Sequence, residues 1–78
     1  MRIVAYGGGH YKAAFGTDPM IGFFCDIWDL DQGDGDDEAG LVYSKMTTFD
    51  TDITPPMMTA EMEKYGINVS AAIERQMH

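Results

Sequence analysis

Carboxylates are the residues of this 78-residue chain whose number and spacing best suit chemistry or binding. Eight of the 13 acidic residues lie between Lys12 and Lys45, a stretch without any basic residue. Such a block repels phosphates and anionic membranes, and it attracts cations or the basic face of a protein. Seven of the eight fall within residues 26–38: Asp26, Asp29, Asp31, Asp34, Asp36, Asp37 and Glu38.

The spacing of these acids does not match the calcium loop of helix–loop–helix proteins. That loop places oxygen ligands at positions 1, 3, 5 and 12 and a glycine at position 6. Counting from Asp29 puts Gly33 at position 5, Asp34 at position 6 and Gly40 at position 12. We therefore expect no cofactor and no metal ligand, with a divalent-cation-binding domain of irregular geometry as an alternative.

The same acids are spaced in a way that would imitate the phosphates of a nucleic acid. Asp26, Asp29 and Asp31 belong to one strand end, and residues 34–38 continue past it. Phe24 and Trp28 bracket Asp26, and exposed aromatic residues beside charges are frequent anchors of protein interfaces. The alternative is that both rings belong to the core. The predicted partner-binding residues are Phe24, Asp26, Trp28, Asp29, Asp31, Asp34, Asp36, Asp37 and Glu38.

Catalysis has little support in the sequence. His10 and His78 have no obvious carboxylate to orient them as a general acid or base. Cys25 falls on the apolar face of a predicted strand, where a thiol is usually an inert small hydrophobic group. The three glycines at 7–9 lack the second half of any nucleotide-binding signature. We predict that the protein is not an enzyme.

The secondary-structure elements predicted to position these residues form an α+β domain. Met20–Leu30 is the central strand, because apolar residues alternate along one of its faces from Ile21 to Ile27. The glycine-rich residues 32–40 form a hairpin loop, and residues 41–49 return as the antiparallel partner. Shorter strands are predicted before the central one, at residues 2–6 and 11–15.

Two helices are predicted after the sheet. Thr54-Pro55 marks the start of the first helix, because threonine caps helices and proline suits the first turn. Gly66 ends this helix, and Asn68 or Ser70 caps the second. The predicted fold is a small antiparallel β-sheet of two or three strands followed by two C-terminal helices, in a single domain of residues 1–78. The apolar stripe of the first helix consists of Met58, Met62 and Tyr65.

Composition excludes several classes of partner. The net charge is −8, and the five basic residues are scattered, so direct binding to nucleic acid is not expected. A single cysteine excludes an internal disulfide. No apolar stretch approaches the roughly 18 residues of a membrane span. We expect a cytoplasmic protein that is a monomer or a weak dimer and binds no membrane.

The segment Met58–Met77 is similar to the helix–Tyr-Gly–helix segment of a family of type I anti-CRISPR inhibitors from phages. The strand Ile21–Trp28 is a second local similarity, and the two segments cover about a third of the chain. The resemblance implies a non-catalytic inhibitor that occupies a nucleic-acid site on a CRISPR effector. The acid-rich loop has no counterpart in this resemblance. The alternative is an accessory interaction domain that binds through its methionine and aromatic residues and whose acidic loop is only solvated.

Overall fold

A computed structural model of the chain describes residues 2–35, 38–50 and 52–76. The predicted α+β class and element order are confirmed, with an antiparallel sheet followed by two helices. The predicted number of two or three strands is wrong, because the sheet has four. The elements are β1 (Arg2–Gly7), β2 (Tyr11–Asp18), β3 (Gly22–Asp29), β4 (Leu41–Met46), α1 (Pro55–Lys64) and α2 (Val69–Gln76).

The four strands form a meander in the order β1-β2-β3-β4, and every neighbouring pair is antiparallel. β1 is short and ends at a glycine, yet all six of its residues pair with residues 11–16 of β2. Ile3 of β1 lies opposite Phe15 of β2, and Phe15 lies opposite Cys25 of β3. All three side chains are buried. The predicted central position of β3 is confirmed, since it pairs with strands on both sides.

The two helices cover one face of the sheet and form the main core with it. Cys25 and Ile27 are fully buried on this face, as their alternation predicted. Phe23 lies on the same face but near the end of the strand, where 46% of it is exposed. The apolar face therefore packs along only part of its length. The buried core residues are Ile3, Ala5, Ala13, Phe15, Cys25, Ile27, Met58, Met62, Ile67, Val69 and Ala72.

The helix ends follow the sequence signals with one difference. The extended backbone of Thr54 precedes α1, and its carbonyl oxygen accepts hydrogen bonds from the N–H groups of Met57 and Met58. The Thr54 side chain makes no capping bond, so that part of the prediction is wrong. Of the two predicted caps for α2, Asn68 is the one observed. Its Oδ1 accepts a hydrogen bond from the N–H of Ala71 at 2.9 Å.

The turn after α1 packs directly on the end of β1. Gly66 has φ +78°, a left-handed conformation that favours glycine. A Cβ atom on Gly7 would overlap the backbone carbonyl of Gly66. A Cβ atom on Gly8 would similarly overlap the carbonyl of Tyr65. These glycines therefore allow the backbone of the first hairpin to touch the backbone between the helices.

Substitution of two methionines of α1 tests the position of the core. Met62 is 2% exposed and Met57 is 48% exposed in the same helix. We expect Met62→Ala to lower the free energy of unfolding by about 2–4 kcal/mol, because it leaves a cavity. Met57→Ala should change it by less than about 0.5 kcal/mol. Urea denaturation measures both values, and equal effects would contradict the packing described here.

Candidate functional site

The acid-rich connection between β3 and β4 is anchored to the sheet. Its ends are closed by a hydrogen bond from the N–H of Asp29 to the carbonyl of Gly40, at 2.7 Å. The N–H of Leu30 donates to the carbonyl of His10 at 2.8 Å. Further along, the Lys12 ammonium donates to the carbonyl of Gly35 at 3.0 Å, and Gly35 is buried. The first half of the connection is thus held against the sheet rather than projecting from it as a free hairpin tip.

Trp28 is buried, so the expected exposure of this anchor is wrong. It lies on the sheet face opposite the helices, paired in register with Lys12, and is 7% exposed. The Lys12 ammonium is 5.4 Å from the centre of the indole ring, within the range of a cation–π interaction. The ring is buried, as the alternative held, but it lies against Lys12 on the face opposite the helices. Phe24, the second predicted anchor, is half-buried.

The predicted acidic residues divide into two groups. Asp26 lies within the sheet, and its Oδ1 accepts a hydrogen bond from the Ser44 hydroxyl at 2.6 Å on the neighbouring strand. The others that the structure describes lie at or beyond the end of β3: Asp29, Asp31, Asp34 and Glu38. Asp31, Asp34 and Glu38 are exposed. Asp36 and Asp37, which were also predicted to bind the partner, lie outside the residues that the structure describes.

His10 joins the acidic group, although the sequence did not show it. The pairing of Tyr11 with Asp29 places the preceding residue beside the end of β3. The Nε2 atom of His10 is 4.0 Å from Oδ1 of Asp29, and its Nδ1 atom is 3.9 Å from Oδ2 of Asp31. The expectation that His10 has no neighbouring carboxylate is therefore wrong. Only the register of β2 on β3 reveals this neighbourhood, and a single sequence does not fix strand register.

The imidazole of His10 also contacts an aromatic ring, which in turn contacts a second one. The ring centroids of His10 and Tyr11 are 4.2 Å apart, with the planes tilted by 39°. Tyr11 in turn contacts Tyr65 edge to face, with centroids 4.8 Å apart. The histidine is thereby connected to the turn that follows α1. The His10 side chain is 38% exposed, so the ring is accessible to solvent.

An apolar groove opens between the helices and the β2–β3 end of the sheet, with a volume of about 230 Å³. Phe23, Met58, Met62 and Ile73 are among the residues that line it. Phe23 and Ile73 are exposed at 46% and 39%. The Thr59 hydroxyl, one of the few polar groups of the lining, donates to the carbonyl of Pro55. The groove therefore suits apolar contacts.

Cys25 is buried in the core, as predicted, and its environment opposes ionisation. Burial, together with the smaller effect of the negative charges of Asp26 and Glu61, raises the pKa of the thiol to about 12. A thiolate is the nucleophilic form of cysteine. At neutral pH the Cys25 thiol is therefore protonated and inaccessible, which does not suit a nucleophile or a metal ligand.

No protein-family model matches the chain, and no curated protein or solved structure is significantly similar to it. The likeness to anti-CRISPR inhibitors thus rests on the two local segments of the sequence. Among the described residues, no helix has the length and apolarity needed to cross a bilayer.

Lys12→Met tests how the connection is held. This variant removes the ammonium that bonds Gly35 and contacts Trp28, while the aliphatic part of the side chain is kept. We expect the fluorescence of Trp28, the single tryptophan, to shift to longer wavelength and to be quenched more strongly by acrylamide. Lys64→Met, on the exposed side of α1, is the matched control and should leave the spectrum unchanged. An unchanged spectrum in both variants would show that the ammonium does not hold the connection.

Cys25 provides a test of burial and of pH dependence. We expect no reaction with Ellman's reagent at pH 8 in the folded protein and full reaction in guanidinium. The unfolded chain releases the thiol proton near the ordinary pKa of 9.0, whereas the folded chain keeps it up to about 12. The free energy of unfolding should therefore fall as the pH rises between these values. Cys25→Ala should reduce this fall, and an identical pH profile would contradict the buried thiol.

Proposed function

We propose that this protein is a non-catalytic binding protein whose acid-rich β3–β4 connection docks onto a basic surface of a nucleic-acid-binding protein. The observation that carries the proposal is the anchoring of this connection through Gly35 and Lys12. Exposed carboxylates of Asp31, Asp34 and Glu38 are presented from a backbone that is held to the sheet. A surface that is ordered before binding loses less conformational entropy when the complex forms.

The distribution of positive charge supports the same proposal. Lys45 lies 3.7 Å from Asp50, and Lys64 lies 3.3 Å from Glu61 on the exposed side of α1. Two of the five basic residues are thus paired with acids outside the connection. The net charge of −8 favours a basic partner and steers it by long-range attraction. It disfavours the phosphates of a nucleic acid as a direct ligand.

The finer identity of the target follows from the resemblance alone. The similar segment corresponds to α1, Gly66 and α2. In this proposal the protein is an inhibitor that covers the DNA-binding or RNA-binding site of a type I CRISPR effector in the host cytosol. It imitates the charge of the nucleic acid that the site would otherwise bind, and it acts as a monomer or a weak dimer.

A second candidate function is favoured by the apolar groove. In a chain of this size, a groove of about 230 Å³ that exposes Phe23 and Ile73 is a substantial apolar surface. An accessory interaction domain would bind its partner here, and the acidic connection would only keep the protein soluble. Neutralising the acids would then leave binding unchanged, whereas Phe23→Ala would weaken it.

Matched charge variants test the leading proposal. The first is Asp34→Asn with Glu38→Gln in the connection, and the control is Glu63→Gln with Glu74→Gln on the helices. All four residues are exposed, and each pair changes the net charge from −8 to −6 by removing two acids. Association with a purified type I CRISPR effector is measured at low and high salt. We expect the connection variant to associate several-fold more slowly at low salt and the control much less so.

The outcomes separate the parts of the proposal. Equal rates for the two charge variants would reject the connection as the docking surface. Loss of binding in Phe23→Ala alone would favour the apolar groove. Absence of any binding to the effector would reject the CRISPR target. Capture of partners from host lysate, compared between wild type and both variants and repeated at high salt, would then test acidic docking in general.

A further inference from the structure

We propose that His10, Asp29 and Asp31 form a binding site for a divalent first-row transition metal ion such as Zn²⁺. One ring nitrogen and one oxygen from each carboxylate all lie within 4.8 Å of one another. The three residues come from two different connections of the sheet, the β1–β2 turn and the end of β3. This site is distinct from the helix–loop–helix calcium pattern that the sequence fails to match, because its nitrogen ligand precedes the acids by some twenty positions.

The backbone holds the two connections together before any ion binds. The N–H of Leu30 donates to the carbonyl of His10, which joins the β1–β2 turn directly to the residue between the two acids. Tyr11 packs against the imidazole on one side. These contacts leave the imidazole nitrogens available as ligands. Oδ1 of Asp29 accepts a hydrogen bond from the N–H of Asp31 at 3.0 Å, and its second lone pair remains for an ion.

The distances suit a single ion after small side-chain rotations. Two ligand atoms bound at about 2.1 Å to one zinc ion are about 3.4 Å apart in tetrahedral geometry. The observed separations are 4.0 Å for His10 and Asp29 and 3.9 Å for His10 and Asp31. These two contacts use different ring nitrogens, so the imidazole must turn toward one position. With 71% of the Asp31 side chain exposed, that carboxylate is accessible to complete the site.

The donor set selects the class of ion. Imidazole nitrogen suits zinc, nickel, copper and iron, whereas calcium and magnesium prefer oxygen ligands alone. Two carboxylates neutralise the charge of a divalent ion. Three protein ligands leave at least one position for water, so the site is accessible from solvent. Cys25, the single cysteine, is fully buried and does not compete as a ligand.

Isothermal titration of the full chain with ZnCl₂ tests this site. We expect binding of one ion per chain, and at least tenfold weaker binding in His10→Gln, Asp29→Asn and Asp31→Asn. His78→Gln is the control for the other histidine of the chain, and Asp34→Asn is the control for a neighbouring acid. Both controls should bind as wild type does. Thermal melting without metal establishes that each variant is folded.

A second measurement does not depend on any variant. Addition of Mn²⁺ to the wild-type protein broadens the NMR signals of nuclei close to the ion. The imidazole protons of His10 should broaden at concentrations that leave those of His78 sharp. Absence of zinc binding, unchanged affinity in His10→Gln, or equal broadening of both histidines would overturn the proposal. None of these results bears on the docking of the Asp34–Glu38 part of the connection, which retains its charge in the metal-site variants.

Discussion

The antiparallel pairing of β2 with β3 determines where almost every notable side chain of this protein lies. Its eight residue pairs run from Tyr11 opposite Asp29 to Asp18 opposite Gly22. One end of this ladder brings the β1–β2 turn to the acidic end of β3, and the other end borders the apolar groove. Between them, the ladder places Lys12 over Trp28. A shift of β2 by one residue would exchange its two faces relative to β3 and remove these contacts together.

Different parts of the chain cover the two faces of the sheet. Helices cover one face with a continuous apolar core, as is usual for a sheet packed on helices. On the other face Trp28 and Ala14 are buried without a helix above them. Lys12 lies over Trp28 on this face and bonds Gly35 of the β3–β4 connection. A lysine suits this position because its carbon chain covers apolar surface while its ammonium reaches a backbone carbonyl.

Local patterns in the sequence predicted the elements better than their mutual positions. Alternation identified the buried face around Cys25 and Ile27, and the proline and glycine signals located α1. The exposure of Trp28 was misjudged because the side chain that lies over it, Lys12, is sixteen positions earlier in the chain. His10 was missed for the same physical reason. Contacts between distant strands depend on register, whereas periodicity reports only which residues share a face.

The contact between Gly7 and Gly66 has a consequence for how this sequence can change over time. One backbone belongs to the end of β1 and the other to the turn between the helices, and no space for a side chain separates them at Gly7. A larger residue at Gly7 requires a displaced helix turn, and a remodelled helix turn requires a displaced first hairpin. The two turns are therefore constrained to evolve as one unit, although nearly sixty residues separate them in the chain.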